Sequence, residues 1–204
     1  MFSFKSLAVF SALAFGAMTA AAAPLENGNS ILARCGCSSA AGILTTLTDD
    51  LSVPVGELKY ITASNCTLDV LRPIMGEITT TISASIVEVQ GLIGQPAEVI
   101  LATVDGTAQI AISDLAQLVA DLLILVFGAI GVVLNIGGGA LAAVLPLLVV
   151  VGDVLGCFVA LLLNVVGGVA GGLTVAVLGL IGSIVQIILR LNVSVLISVI
   201  GIPL

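Results

Sequence analysis

The segment from residue 38 to residue 51 has the apolar pattern of one helix face. Its large apolar residues lie one, three or four positions apart, which places them on a single side of an α-helix. The residue before a proline is disfavoured in helical geometry, so we expect this helix to end before Pro54. The residues of the stripe are Ile43, Leu44, Leu47 and Leu51.

A longer stripe follows between residues 68 and 93. Its members lie three or four positions apart except at one gap, which Ile86 partly fills, and Thr, Ser and Glu occupy the other side. This predicts a second amphipathic helix, ended by Gly94-Gln95-Pro96. The β-branched run from Thr79 to Ile82 leaves a strand as the alternative. The stripe consists of Leu68, Leu71, Met75, Ile78, Ile82, Val89 and Ile93.

A third helix is predicted to start at Pro96 or Ala97 and to run to Leu122 through Ile100, Val104, Ala111, Leu115 and Leu118. Glu98 in its first turn complements the helix dipole. The acidic residues along it lack the convergent partners of catalytic carboxylates, so we interpret them as a solvated face. They are Glu98, Asp105, Asp114 and Asp121.

Two long uncharged stretches make up most of the remaining chain. Residues 122–152 are 31 positions without a charge and residues 154–189 are 36, each longer than the ~20 residues that span a bilayer. Length permits two to four spans. We expect breaks at Gly137-Gly138-Gly139, at Pro146 and at the glycine pairs between residues 167 and 172. A weak repeat beginning at Leu134, Leu163 and Leu191 suggests repeated apolar hairpin units.

The N-terminus has the pattern of an export signal. Lys5 precedes an apolar run from Leu7 to Met18, and small residues then lead to Pro24. The run is too short for a spanning helix, so we interpret residues 1–23 as a signal peptide cleaved near Ala23. The alternative is an uncleaved N-terminal anchor.

Composition divides the chain into two regions. Overall 59% of residues are hydrophobic and 8% are charged, which leaves too little polar surface to cover an ordinary core. Residues 24–121 contain fourteen charged residues, whereas residues 122–204 contain two. We therefore predict a polar, disulfide-braced helical region at 24–121 and a hydrophobic Gly/Val/Leu-rich helical region at 122–204, in an all-α fold.

The net charge of −7 limits the partners of the chain. Phosphate binding needs clustered Lys and Arg, and no basic patch exists, so nucleic acid is excluded as a partner. An anionic membrane surface would repel the chain as well. Self-association or contact with a hydrophobic interface such as air, wall polymer or lipid is expected instead.

Four cysteines occur in a chain predicted to enter an oxidising compartment, which favours two disulfides. A bond between Cys35 and Cys37 would be strained, so we expect each of them to reach Cys66 or Cys157. A metal site is the weak alternative, because the spacing lacks the paired pattern of zinc motifs. Two acceptor sequons for N-glycosylation begin at Asn65 and at Asn192.

The residue types of common active sites are missing. The chain has no His, which removes the commonest general base and the commonest metal ligand. It also lacks G-x-S-x-G, GK[ST] and H-E-x-x-H motifs. We predict neither an enzyme nor a cofactor or metal site.

The usual topology signals of a multipass protein are missing too. Lys and Arg are absent between Arg72 and Arg190, and Tyr60 is the only Tyr or Trp. Asp153 and Arg190 are the two charges of the apolar half. We interpret each as the end of a loop, with a pair inside a helical bundle as the alternative.

The combined layout resembles a group of small secreted cell-wall proteins of mushroom-forming fungi. It consists of a signal peptide, a polar N-terminal half, a hydrophobic C-terminal half and cysteines at Cys35, Cys37, Cys66 and Cys157. The resemblance implies a part in attachment and in the formation of aerial hyphae, overlapping the role of hydrophobins. The chain is not itself like a hydrophobin, which has eight cysteines with adjacent pairs. The resemblance carries over no functional residue.

These observations lead to three functional hypotheses. The first is a secreted, surface-active structural protein, extracellular or in the cell wall, that coats hydrophobic interfaces or mediates attachment to them. The second is an integral multipass or pore-forming membrane protein, motivated by the length of the apolar stretches. The third is a secreted effector or binding module that uses the polar region.

Overall fold

The computed structural model describes residues 39–168 and 172–202, and this part of the chain forms eight α-helices and no β-strand. The predicted all-α class is confirmed. The signal peptide predicted at residues 1–23 and the disulfide partners Cys35 and Cys37 lie outside the described residues.

Helix α1, Ala40–Leu58, begins where Ser39 Oγ accepts a hydrogen bond from the Gly42 N–H at 3.1 Å. That bond satisfies one of the donors left unpaired in a first helical turn. The expected end before Pro54 is wrong, because the helix continues to Leu58 with Pro54 buried inside it. Pro54 has no N–H to donate to the Asp50 carbonyl, but Asp50 is exposed and water can replace that bond.

Helix α2, Leu68–Gly91, is continuous across the β-branched run, so the strand alternative is wrong. Side-chain hydroxyls there donate to carbonyls one turn earlier, as helical Thr and Ser often do. Ile93, predicted on the buried stripe, lies beyond the helix and is 60% exposed. The three bonds run from Thr79 to Met75 at 2.7 Å, from Thr80 to Gly76 at 2.8 Å and from Ser83 to Thr79 at 2.7 Å.

The predicted third helix is in fact two helices. Helix α3, Ala97–Ile100, is a single turn, and eleven residues separate it from helix α4, Ile112–Ile136. The loop between them is closed by an antiparallel bridge of Ala102 with Gln109, and Gly106 turns it with a φ of 69°. Helical apolar spacing continues across this loop in the sequence, which is why the break was missed.

A short connection joins α4 to the second long apolar helix, α5, Leu141–Gly167. The connection contains a 3₁₀ turn at Gly138–Ala140, so the break predicted at the glycine triplet is confirmed. The break predicted at Pro146 is wrong, because Pro146 lies within α5. Its side chain is on the exposed side of the helix, where water can satisfy the carbonyl that the ring leaves without a donor.

Three short helices follow: α6, Leu173–Leu180, α7, Val185–Leu191, and α8, Ser194–Ile200. Asn192 adopts the left-handed conformation between α7 and α8, with a φ of 54°. Each copy of the weak repeat starts with a Leu-Asn pair, at Leu134, Leu163 and Leu191, and these pairs lie near the ends of α4, α5 and α7. The repeat therefore marks helix ends and not whole hairpins.

The long helices share one hydrophobic core. Helix α1 packs against α2 and α4, helix α2 packs against α5, and α6 and α8 cover parts of α4 and α5. The boundary predicted between residues 121 and 122 falls inside α4. Residues from both sides of that boundary are fully buried in the same core, including Leu44, Ile78, Phe127 and Phe158.

Candidate interfacial surface on helix α5

Helix α5 buries one side and leaves the opposite side open. The buried side contacts α2 and α8 and holds Leu148, Leu155 and Leu162, which are completely covered. The open side is a row of exposed or half-buried residues spaced alternately by three and four positions. We call this row the α5 face, and it consists of Ala143, Pro146, Val150, Asp153, Cys157, Ala160 and Asn164.

The side chains of the α5 face are small, and they are apolar apart from Asp153 and Asn164. Val150 near its centre is 50% exposed. Leu147, Val154 and Leu161 are half-buried beside it and widen the apolar surface. In the most apolar 18-residue segment of α5, 44% of the residues are buried, whereas 61% are buried in the corresponding segment of α4. Helix α5 therefore leaves more of its apolar length uncovered than α4 does.

The other long helices present charges on their exposed sides. Asp49 and Asp50 are exposed on α1, Glu77 and Glu88 on α2, and Asp121 on α4. The four acidic residues that we interpreted as a solvated face are all exposed. They do not share one helix, because a loop separates α3 from α4. These residues are Glu98, Asp105, Asp114 and Asp121. Several charged side chains thus lie on the outside of α1 and α2, whereas the half-buried Asp153 is the one charge of α5.

Glycines on the inner sides of α4 and α5 allow the C-terminal helices to approach closely. A Cβ atom built on Gly152 would lie 2.8 Å from Val193 Cγ2, and one built on Gly156 would lie 3.3 Å from Val195 Cβ. A Cβ on Gly131 of α4 would lie 2.7 Å from Ile187 Cδ1. Gly152 and Gly156 therefore lie where α8 and the residue before it come closest to α5, as small residues at helix contacts allow.

Asp153 and Cys157 lie one turn apart on the α5 face. The interpretation of Asp153 as a loop end is wrong, since it lies near the middle of α5, whereas Arg190 does lie in the last turn of α7. Partial burial raises the pKa of the Asp153 carboxyl. Burial also raises the pKa of the Cys157 thiol, and the neighbouring Asp153 charge raises it further.

The cysteines within the described residues have different surroundings. Cys66 is buried before α2, with 1% of its surface exposed, whereas Cys157 is exposed. The two are not bonded to each other. Their predicted partners, Cys35 and Cys37, lie outside the described residues, so the predicted pairing stays a prediction.

Both N-glycosylation sequons are at exposed asparagines. Asn65 lies in the turn between α1 and α2, where its Oδ1 accepts hydrogen bonds from the Thr62 N–H at 2.6 Å and from Thr62 Oγ1 at 3.2 Å. Asn192 lies between α7 and α8, and Ser194 of the same sequon is also exposed. Neither acceptor side chain is hidden by the fold.

The loop before α4 is organised by Asp105. Its Oδ2 accepts a hydrogen bond from Thr107 Oγ1 at 2.8 Å, and its Oδ1 accepts from the Thr107 N–H at 3.2 Å. The Thr103 hydroxyl also donates to Oδ1. The bond from Thr103, followed by those from Thr107, lowers the pKa of this carboxyl below its ordinary value.

Two of the described helices, α4 and α5, have the length and composition needed to cross a membrane. A third span would require α6 and α7 to act together, although they are bent by 98° relative to each other. Within residues 39–168 and 172–202, no three Cys, Asp or Glu side chains gather in a group that could hold a metal ion.

The α5 face was not predicted from the sequence. Apolar residues occur on all sides of α5, so the pattern alone does not show which side α2 covers. A partial signal was present, because Asp153, Cys157 and Asn164 recur at helical spacing within an otherwise aliphatic segment.

No protein family matches this chain, and comparison with curated proteins and with solved structures gives no significant match.

Proposed function

We propose that this chain is a secreted structural protein that adsorbs to hydrophobic interfaces through the α5 face. The observation that carries the proposal is the row of open apolar side chains on α5, centred on Val150, in a bundle whose other long helices expose carboxylates. With α5 on an air, wall or lipid interface, the exposed charges of α1 and α2 remain in water. Structural coating and attachment at such interfaces follow from this orientation.

The size of the α5 face suggests how strong adsorption is. A helix of 27 residues is ~40 Å long, and a strip ~10 Å wide along it covers ~400 Å². Removing that area from water is worth at most about 10 kcal/mol at 25 cal/mol per Å², because Asp153 and Asn164 make part of the strip polar. Immobilising a protein costs about 4–15 kcal/mol, so adsorption of the folded bundle is reversible. Permanent adsorption requires more apolar surface to be exposed at the interface.

Surface tension measured with matched variants tests this proposal. The double variant Ala143→Asp/Val150→Asp places two charges on the α5 face and should lower surface tension more slowly and less than the natural sequence does. Val87→Asp is the control, because Val87 is 66% exposed on α2 and does not belong to the α5 face. Equal surface activity of all three proteins, each with the helical circular dichroism of the folded chain, would reject the α5 face as the adsorbing surface.

Cell fractionation tests the proposed location. An antibody against residues 40–58 should detect the protein in medium or wall extract of cells that express it. Protein that remains in membranes after an alkaline carbonate wash would contradict secretion as a soluble bundle.

The second candidate function is insertion into a membrane, which the length and apolar composition of α4 and α5 favour. The closed bundle is unsuited to spanning, because Glu77 and Glu88 on α2 would meet lipid. Insertion would therefore require α1 and α2 to separate from α4 and α5. Carbonate-resistant protein whose α1 and α2 become sensitive to protease in the presence of vesicles would support this candidate against adsorption.

A further inference from the structure

We propose that the pair of helices α1 and α2 swings away from α4 and α5 at a hydrophobic interface, so that the apolar sides that face each other in water come to face the interface. The inference rests on the proposed function and supplies the additional apolar surface that lasting adsorption requires. The hinge lies in the connection at residues 92–111, which joins α2 to α4.

Apolar contacts, and no side-chain hydrogen bonds, join the two pairs of helices. Within residues 39–168 and 172–202, every side-chain hydrogen bond links residues at most five positions apart, so none crosses from α1 or α2 to α4 or α5. The buried polar side chains of this part of the chain are Ser39 and Ser85. Apolar contact is non-directional, so an interface can replace it without leaving a polar group unpaired.

The order of the helices along the chain allows this separation. Helices α1 and α2 are consecutive, so within the described residues the chain passes from their pair to α4 and α5 once, at residues 92–111. Residues 93–98 of this connection are all exposed or half-buried. Gly94 has a φ of 81°, and a Cβ atom built on it would meet nothing within 4 Å. These residues can therefore absorb a hinge motion without disturbing a packed side chain.

Helices α1 and α2 are themselves suited to lie on an interface. Their apolar stripes are buried in the closed bundle, whereas every Asp, Glu, Lys and Arg between residues 40 and 91 is exposed. An amphipathic helix of this kind lies in the plane of an interface with its apolar side down. Opening of the bundle therefore keeps the charges in water and places Leu44, Leu51 and Ile78 against the interface.

In water the bundle stays closed. Separation there would expose the apolar inner sides of all four long helices, which the hydrophobic effect opposes. At an interface the same sides are covered in the open form, whereas the closed form places little more than the α5 face on it. The interface therefore favours the open form, because it covers more apolar surface in that form than in the closed one.

The two forms differ in the area that each molecule occupies. Helices α1, α2, α4 and α5 contain 19, 24, 25 and 27 residues. Side by side, at ~1.5 Å per residue and a width of ~10 Å, they occupy ~1,400 Å². A closed bundle that is two helices wide and ~40 Å long occupies ~800 Å². Opening should therefore increase the area per molecule about 1.8-fold.

Spreading of the purified protein at an air–water interface tests the proposal, with a reductant present so that no disulfide ties the two pairs of helices together. A film balance measures the area per molecule, and infrared reflection measures the helix content. The natural sequence should lower surface tension and then expand to ~1,400 Å² per molecule with its helices intact.

Two matched substitutions locate the contact that opens. Leu44→Ala removes contacts of α1, which packs against α4 as well as α2, and should expand about tenfold faster, a change of 1.4 kcal/mol. Leu196→Ala is the control, because Leu196 is equally buried but lies on α8, which packs against α5. It should expand at the rate of the natural sequence.

The outcomes separate this inference from the proposed function. Lowered surface tension with an area that stays near ~800 Å² would overturn the opening and leave adsorption through the α5 face intact. Unchanged surface tension would overturn both. Loss of helix content during spreading would overturn the opening, because it indicates unfolding at the surface and not separation of intact helices. Equal acceleration by Leu44→Ala and Leu196→Ala, both folded in water by circular dichroism, would also overturn it.

Discussion

At Gly152 the backbone of α5 leaves no room for a side chain. A Cβ atom there would lie 2.8 Å from Val193 Cγ2, and Val193 is fully buried and β-branched, so it has little freedom to move. We expect Gly152→Ala to lower the free energy of unfolding by about 1–3 kcal/mol, as overpacked cores do. Urea unfolding followed by circular dichroism measures the change.

Gly128 on α4 provides the control for that substitution, because a Cβ there meets nothing within 4 Å. Gly128→Ala should raise the free energy of unfolding by up to about 1 kcal/mol through helix propensity alone. A Gly152→Ala protein as stable as Gly128→Ala would show that α8 does not pack into α5 at this point.

Asp105 makes the stability of the loop before α4 depend on pH. Its hydrogen bonds to Thr103 and Thr107 depress its pKa in the folded state. Its stabilising contribution is therefore present above the unfolded-state pKa and is lost as pH falls through the folded-state pKa. Asp105→Ala should be less stable than the natural sequence at pH 7, and the difference should shrink as the pH is lowered through the acidic range.

Thermal unfolding of both proteins across that pH range measures the difference. Asp114→Ala is the comparison, since Asp114 is also an exposed aspartate, in the first turn of α4. A constant difference between Asp105→Ala and the natural sequence at every pH would contradict a role for the Asp105 charge.

At the scale of elements, two prolines lie inside helices where the sequence predicted an end or a break. Pro146 is exposed on α5 and contributes little to the core, so Pro146→Ala should raise the free energy of unfolding by about 1–3 kcal/mol by restoring a helical hydrogen bond. Pro54 is buried in α1, and Pro54→Ala should give a smaller gain because it removes core contacts. Urea unfolding of the two variants tests this order, and the reverse order would contradict it.

The sequence predicted elements well where polar and apolar residues alternate around a helix. The stripe of α1 is buried as expected from Ile43 to Leu51, and that of α2 is buried from Leu71 to Val89. The loop at residues 101–111 was missed because its apolar spacing imitates a helix, although Asp105-Gly106 is a turn signal. The α5 face was missed for the opposite reason, since a helix that is apolar on every side does not indicate which side will be covered.

At the scale of the whole molecule, the charge asymmetry of the sequence does not separate the chain into two cores. The buried sides of α1 and α2 pack against α4 and α5, so residues 39–111 by themselves lack most of their partners. We expect a fragment of residues 39–111 to be largely unfolded, whereas residues 39–202 unfold in one cooperative transition. Circular dichroism and urea unfolding of the two fragments test this, and a cooperatively folded short fragment would contradict the shared core.

The glycine contacts of α4 and α5 also have a consequence for synthesis. Ile187, Val193 and Val195, which fill the space beside Gly131, Gly152 and Gly156, are translated after both long helices. At ~5–20 residues per second, the roughly 30 residues from Gly167 to Leu196 take ~1.5–6 seconds to appear. During that interval, the inner sides of α4 and α5 lack the residues that later pack beside their glycines. A ribosome that stalls before Val193 would therefore hold a chain whose apolar helices α4 and α5 are uncovered at these positions.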